Sequence, residues 1–325
     1  MGSKYNVLPY LVDVFEGLRF ESVLDAFSGS GVVAYALKCM GKTVTTNDYL
    51  TFAATAARAT VENPGIRLSA EDLTWLCQGN LDGRDFIAQT FAGLYFPPED
   101  LAFLDAAWSR LEHLPPYKRD IAIAGLCLAS ARKQPRGVFT VTDLRYDDGR
   151  RQLRTPLEEL FVEAAAAYCA VAFDNRHPNR SIAGDVMDLD PDGYDLVYLD
   201  PPYAPPRDDN DYIKRYHFLE GLAQYWRDQP ILTQTKTKKI AKRFTPFAYK
   251  RTITDALREL FFRFRSSTIV LSYSSNSYPG EQQIYDLLKA EKPDVEVFAV
   301  AHRYSFGTHR TALRRAVHEY IFVGR

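Results

Sequence analysis

The sequence predicts an α/β protein in which a parallel sheet is interrupted by a long, mainly helical insertion. Three observations carry this. Strand and helix signals alternate over residues 22–63, apolar residues then recur at helical spacing over 66–176, and short runs of β-branched and aromatic residues resume at 181. A chain of 325 residues can hold one large α/β domain with an insertion, or two domains.

Ser22-Val23-Leu24-Asp25-Ala26-Phe27 reads as a strand. It runs into the glycine turn Ser28-Gly29-Ser30-Gly31 and then a helix over 32–40, which Gly41 can end in a left-handed cap. Strand 42–47, with Asp48 at its carboxyl end, and a helix over about 52–63 complete a βαβα unit, hence parallel pairing. Over 66–176, apolar stripes at 101–104, 121–131 and 157–173 are separated by Pro97-Pro98, Pro115-Pro116 and a loop over 132–148. Sheet signals return at 181–185 and at 194–199, and Asp185 again ends a strand. A polar loop at 204–211 and a basic stretch at 229–254 precede helix 254–265, strand 267–273, helix 280–290, strand 295–301 and strand 318–323. The predicted division is a core of 1–65 and 180–325, with 66–179 as an inserted, mainly helical lobe.

Composition sets bounds on function. Hydrophobic residues make up 46% and charged residues 25%, as in ordinary globular proteins, and no run approaches the roughly 20 apolar residues of a membrane span. With no secretory or lipid-anchor signal, a cytoplasmic protein is expected. Cys39, Cys77, Cys127 and Cys169 lie apart, without CxxC spacing or histidine partners, so buried reduced thiols are expected and a metal site is not. The net charge of −1 does not describe a chain coated for DNA, but local charge does more. From 229 to 254 there is no acid, while Lys236, Lys238, Lys239, Lys242, Arg243, Lys250 and Arg251 supply seven cations. A second basic stretch includes Arg132, Lys133, Arg136, Arg145, Arg150, Arg151 and Arg154.

Two motifs carry chemistry. In the glycine turn, Gly29 and Gly31 let a ligand approach the backbone, and Asp48 sits where an acid can bridge ribose hydroxyls. Far downstream, Asp200-Pro201-Pro202-Tyr203 follows directly on an apolar strand. Two prolines stiffen the turn and set the direction of its carbonyls, so a carboxylate, fixed acceptors and an aromatic ring stand together. That combination suits a planar base with an exocyclic NH2 group.

Taken together, these residues resemble the DNA adenine-N6 methyltransferases of the Dam-like, alpha-type motif order, in which the cofactor loop precedes an inserted recognition region and DPPY comes later. Asp25-x-Phe27-x-Gly29-x-Gly31 is similar to the S-adenosylmethionine loop of that family, and Gly2-Ser3-Lys4 with Leu8 and Pro9 to its N-terminal cofactor segment. The resemblance places Asp48 at the ribose and Asp185 near the adenine of the cofactor. Tyr216-His217-Phe218-Leu219-Glu220 is similar to a YHxLE segment in one branch of the family, Tyr273-Ser274-Ser275-Asn276 to its SYxSN strand end, and 95–105 to the entry of its insertion. Where the Dam subgroup begins its loop Glu-Pro-Phe, this chain reads Asp25-Ala26-Phe27.

The resemblance implies a Rossmann-like class I methyltransferase sheet with a helical recognition lobe. The implied cofactor-binding residues are Lys4, Asp25, Phe27, Gly29, Gly31, Asp48 and Asp185, and the implied catalytic residues are Asp200, Pro201, Pro202 and Tyr203. Methyl transfer to adenine N6 requires a base flipped out of duplex DNA. Candidates for contacting that DNA are Arg132, Lys133, Arg136, His217, Lys236, Lys238, Lys239 and Arg243. No cysteine follows a proline, which disfavours the thiolate chemistry of cytosine C5 methylation. A cognate restriction endonuclease is a compatible partner, and oligomeric state is open. Three other readings stay open: an rRNA amino-methyltransferase, a nicotinamide-dependent dehydrogenase suggested by Gly29-x-Gly31-x-x-Ala34 with an acid 19 residues past Gly29, and a catalytically silent nucleic-acid-binding module.

Overall fold

A computed structural model of the chain describes residues 4–140, 142, 147, 149–204, 212–303 and 316–325. Gly2, Ser3, Arg145 and the loop 205–211 lie outside the described residues. The chain forms two compact units, one comprising Gly2–Tyr49, His177–Asn210 and Phe244–Arg325, the other Leu50–Arg176 and Asp211–Arg243.

The first unit is built on a sheet. After helix α1 (Leu8–Glu16) come β1 (Ser22–Asp25), α2 (Val32–Cys39) and β2 (Thr43–Asp48). Gly31 precedes α2 with φ +73°, and Gly41 closes it with φ +75°, its N–H donating to the Lys38 carbonyl at 3.0 Å, as expected of a left-handed cap. The helical unit follows, beginning with α3 (Thr51–Ala57), which continues as one π-helical stretch Arg58–Glu62. It goes on with α4 (Ala70–Leu76), α5 (Phe86–Thr90), α6 (Pro98–Leu111), α7 (Pro116–Arg132) and α8 (Leu157–Val171). The chain then returns to the sheet with β3 (Arg180–Ala183) and β4 (Leu196–Leu199), and to the helical unit with α9 (Tyr212–Leu222). It finishes in the sheet unit with α10 (Ile253–Arg263), β5 (Thr268–Ser274), α11 (Glu281–Lys289), β6 (Val295–Arg303) and β7 (Ala316–Gly324).

Among the described residues the strands form one seven-stranded sheet in the order β3-β2-β1-β4-β5-β7-β6. All pairings are parallel except those of β7, which runs antiparallel between β5 and β6. The expected α/β sheet is therefore present, with one reversed strand whose position no local pattern announces. Every residue of β4 is buried, because the strand has neighbours on both edges and is covered on both faces, which explains its unbroken apolar run. Leu24, Val197, Leu199, Leu271 and Phe322 of the sheet join Leu257, Phe261, Ile284 and Leu288 of α10 and α11 in one apolar core.

The helical unit begins its helices where prolines forbid continuation from upstream, Pro98 and Pro116 each occupying a first turn. Helix α4 starts with a capping box, Ser69 Oγ accepting the Asp72 N–H at 3.1 Å and Asp72 Oδ2 accepting the Ser69 N–H at 2.7 Å. Gly125 lets α7 approach α8 closely, since a Cβ there would lie 3.2 Å from the Phe161 ring. Phe91, Tyr95, Phe96, Phe139, Phe218 and Trp226 form an aromatic cluster around α9. Helix α9 is not marked by one-sided periodicity, because Ile213, Tyr216, Phe218, Leu219 and Leu222 are buried together with His217 and Glu220. Cys127 is buried and Cys77 and Cys169 are partly so, but Cys39, expected inside, is exposed at the end of α2.

Candidate active site

Strand order reverses at β1. It is flanked by β2, reached through α2, on one side and by β4 on the other, and α/β sheets leave room for a ligand beyond the carboxyl ends of such strands. Three acids stand there. Asp25 ends β1, registered against Thr46 of β2 and Tyr198 of β4; Asp48 ends β2; Asp200 follows β4 directly.

The glycine turn is tied to the end of β2. Asp48 Oδ2 accepts the Gly29 N–H at 2.7 Å, and the Ser28 N–H donates to the Asn47 carbonyl at 2.9 Å. Gly29 has φ +50°, so a side chain at this position would strain the turn. Phe27 packs edge-to-face on Phe247 at 5.1 Å. Asp25 is buried, and its Oδ1, together with Ser28 Oγ and Asn47 Oδ1, has no hydrogen-bond partner among the described residues. Burial pushes the Asp25 carboxyl well above the usual carboxylate range, and the negative charges of Asp200 and Asp48 push it further. Asp185 lies just past the end of β3, where its Oδ1 accepts the Met187 N–H at 3.0 Å and opens a 3-10 turn at Val186–Asp188.

Lys4 is engaged at the Asp-Pro-Pro-Tyr turn. Its Nζ lies 2.8 Å from Asp200 Oδ1 and 2.8 Å from Glu319 Oε1, contacts the Tyr203 hydroxyl, and sits 4.8 Å from the centre of the Tyr203 ring. Burial disfavours the ammonium form of Lys4, but the two carboxylates outweigh it and hold its pKa above the usual lysine value. Asp200 is raised by burial, an effect that Lys4 opposes and Glu319 reinforces. The Tyr203 hydroxyl lies 3.0 Å from Asp200 Oδ1 and 2.5 Å from Glu319 Oε1, so its single proton serves one carboxylate at a time. The Tyr203 ring is held edge-to-face against Tyr273 at 5.1 Å. Glu319 also accepts the Ser272 hydroxyl at 2.8 Å. Sequence reasoning missed Glu319. The available signal was an acid alternating with Ile321 and Val323 along β7, on a face that a strand normally reserves for the core.

The basic candidates divide by burial. Lys133 is interior, with Nζ 2.5 Å from Asp100 Oδ2 and donating to the Thr155 carbonyl at 2.6 Å, while Asp100 Oδ1 accepts the Leu157 N–H at the start of α8. His217 is wholly buried in the helical unit, 3.0 Å from the Phe139 carbonyl and 3.2 Å from the Tyr95 hydroxyl. Desolvation, aided by the charge of Lys239, brings its pKa down to about 4. Both side chains hold the unit together and present no surface to a nucleic acid. Arg243 pairs with the buried Glu220 carboxylate at 2.6 Å, and Lys238 donates to the Thr90 carbonyl. Arg136 and Lys236 are exposed, and Arg132 and Lys239 are half-buried.

With these positions in place, the relatives of the chain can be set beside them. Residues 1–86 match the family of D12 class N6 adenine-specific DNA methyltransferases. The D12 match takes in Lys4, Asp25, the glycine turn and Asp48, and stops before Asp200. The modification methylase StsI of Streptococcus sanguinis is 25% identical over 99% of this chain and 51% of its own length. The modification methylase LlaI of Lactococcus lactis subsp. lactis is 22% identical over 97% of this chain and 52% of its own, and the type II methyltransferase M.FokI of Planomicrobium okeanokoites 28% over 46% and 23%. The chain thus spans about half the length of the curated relatives that match it throughout. The D12 resemblance implies a methyl donor, and the sheet is consistent with a class I methyltransferase. Among the described residues no helix is long and apolar enough to cross a membrane.

Proposed function

We propose that this chain methylates the exocyclic N6 of adenine in duplex DNA, using S-adenosylmethionine, with Asp200 as the residue that prepares the amino group. The observation that carries the reading is the convergence of Asp200 with Asp25 and Asp48 at the ends of adjacent strands, close enough for their charges to act on Asp25. The glycine turn fits the donor. Asp25 Oδ1 and Ser28 Oγ are buried and unpartnered beside a backbone that no Cβ obstructs, and they suit the amino and hydroxyl groups of an amino-acid nucleoside. Asp25, Phe27, Gly29, Gly31, Asp48 and Asp185 would hold it.

Bound there, the donor supplies an electrophilic sulfonium methyl. Adenine N6 is a weak nucleophile because its lone pair is delocalised into the ring. Asp200 and the carbonyl of Pro201 or Pro202 would accept hydrogen bonds from the two N6 hydrogens, favouring a pyramidal nitrogen and stabilising the positive charge that grows as N6 bonds the methyl carbon and the carbon–sulfur bond breaks, with S-adenosylhomocysteine leaving and one N6 proton lost to solvent. The contacts of Lys4 and Tyr203 with Asp200 both fall on Oδ1, so they orient the carboxylate from one side. The Tyr203 ring offers a face for the extruded base, offsetting an unstacking cost of a few kcal/mol with roughly 1–3 kcal/mol of stacking. Arg132, Arg136, Lys236 and Lys239 of the helical unit supply phosphate contacts. As in the relatives named modification methylases, the reaction would mark DNA against a cognate endonuclease, in the compartment that holds the DNA.

The test uses methyl-labelled S-adenosylmethionine with unmethylated DNA and, separately, rRNA, followed by identification of the modified base. N6-methyladenine in DNA is expected. Label confined to rRNA sinks the reading. Asp200→Ala should reduce turnover at least about 100-fold, the scale of losing one preorganised charge-stabilising group, while S-adenosylhomocysteine binds as before.

A further inference from the structure

The acid-free stretch 229–254 divides between the two units, and its last part belongs to the sheet unit. There, Phe244 is 58% exposed and stacks on Tyr249 at 5.5 Å and 15°. The Arg251 guanidinium lies 5.7 Å from the Tyr249 ring, and Lys250 Nζ lies 4.9 Å from the Tyr278 ring. Lys250 and Arg251 are exposed, and neither forms an ion pair among the described residues.

This patch is anchored at the reaction site by two separate links. Phe247, buried in the same segment, packs against Phe27 of the glycine turn. Tyr278, which carries Lys250, donates its backbone N–H at 3.1 Å to the carbonyl of Ala204, the residue after Tyr203. A large apolar ring left in water, backed by a second ring and flanked by exposed cations that form no ion pair among the described residues, suits stacking on unpaired bases while neutralising the adjacent phosphates. Bases inside a duplex offer no free π-face. Extrusion of one base creates such faces beside the gap.

We infer that Phe244 and Tyr249, with Lys250 and Arg251, form a DNA-binding platform that stacks on a base exposed when the target adenine leaves the helix and grips the flanking phosphates. The inference rests on the DNA reading proposed above and gives it a contact outside the catalytic turn. It also separates Lys250 and Arg251, which face solvent, from Lys238 and Arg243, which are engaged within the helical unit.

The experiment measures binding of unmethylated phage DNA fragments in the presence of S-adenosylhomocysteine, across a salt series, together with KM for DNA and kcat. Phe244→Ala should weaken binding and raise KM for DNA about tenfold, and Phe244→Tyr should restore both. The double variant Lys250→Ala, Arg251→Ala should lower the slope of log K against log salt by about 2, near 0.9 per phosphate contact. S-adenosylhomocysteine affinity, read by calorimetry, should stay at the wild-type value in all three and so reports an intact fold. Wild-type DNA affinity and salt slope in Phe244→Ala and in the double variant overturn the platform. If the wild-type protein neither binds nor methylates DNA, the DNA reading itself fails, which is a separate result.

Discussion

Asp25, Asp200, Glu319 and Lys4 place three buried carboxyls and one ammonium at the end of a single sheet, where the charge of Asp200 helps to raise the Asp25 carboxyl. Asp25 has a folded pKa raised above its ordinary 3.8, so the folded state holds its proton more tightly than the unfolded one. Its contribution to stability is present below about 3.8 and is lost as pH rises from there through the folded value. Asp25→Asn should therefore raise the thermal midpoint of the ligand-free protein, by more at pH 7 than at pH 4, while weakening the methyl donor. Thermal scans at the two pH values check this, and an equal shift at both contradicts it. Glu319→Gln keeps the shape of the side chain and removes its charge from Lys4, Tyr203 and Ser272. It should lower kcat about tenfold, leave KM for the donor nearly unchanged and move the pH profile of kcat, since Glu319 reinforces the rise in the Asp200 pKa. An unaltered profile would reduce Glu319 to packing.

Element by element, legibility followed the number of faces that are buried. Helix α2 and strands β1 and β2 were readable because a glycine turn, a glycine cap and β-branched runs each act over a few residues. Helix α9 was not. It is surrounded, and its polar residues find partners inside: Glu220 accepts from Arg243, and His217 lies against the Phe139 carbonyl. Gly221 in this helix also looks like a helix breaker, yet a Cβ there would lie 2.1 Å from the Trp226 indole, which is itself locked among Phe86, Phe91 and Phe218. Gly221→Ala should cost about 1–3 kcal/mol of stability by overpacking, despite the better helix propensity of alanine. Urea unfolding followed by tryptophan fluorescence measures this, and a stabilised variant would mean that the contact is looser than it stands.

For the whole molecule, the sheet unit carries the glycine turn and the acids on one set of strand ends, so a donor that binds there stabilises that unit by mass action. At one hundred times its Kd, S-adenosylhomocysteine should add about 2.7 kcal/mol. The thermal midpoint should rise with the nucleoside and not with NADH, and Asp25→Asn should shrink the rise. A rise with NADH alone would instead favour a dehydrogenase. Lys133 and His217 illustrate the limit of reading charge along a chain. Lys133 falls in a basic stretch and His217 between two aromatic residues after the Asp-Pro-Pro-Tyr turn, but both are buried with partners distant in sequence, Lys133 on Asp100 and His217 on Phe139 and Tyr95.

By itself the sequence determined the α/β class, the order of the glycine turn and the Asp-Pro-Pro-Tyr turn, and the places of Asp48 and Asp200 at the ends of their strands, because those signals arise from backbone preferences over four to ten residues. Tertiary structure alone decided that β7 runs backwards between β5 and β6, that Glu319 reaches Tyr203 and Lys4, and which cations face solvent. Each of these joins groups far apart in the chain, and their placement follows from which faces the sheet and helices bury.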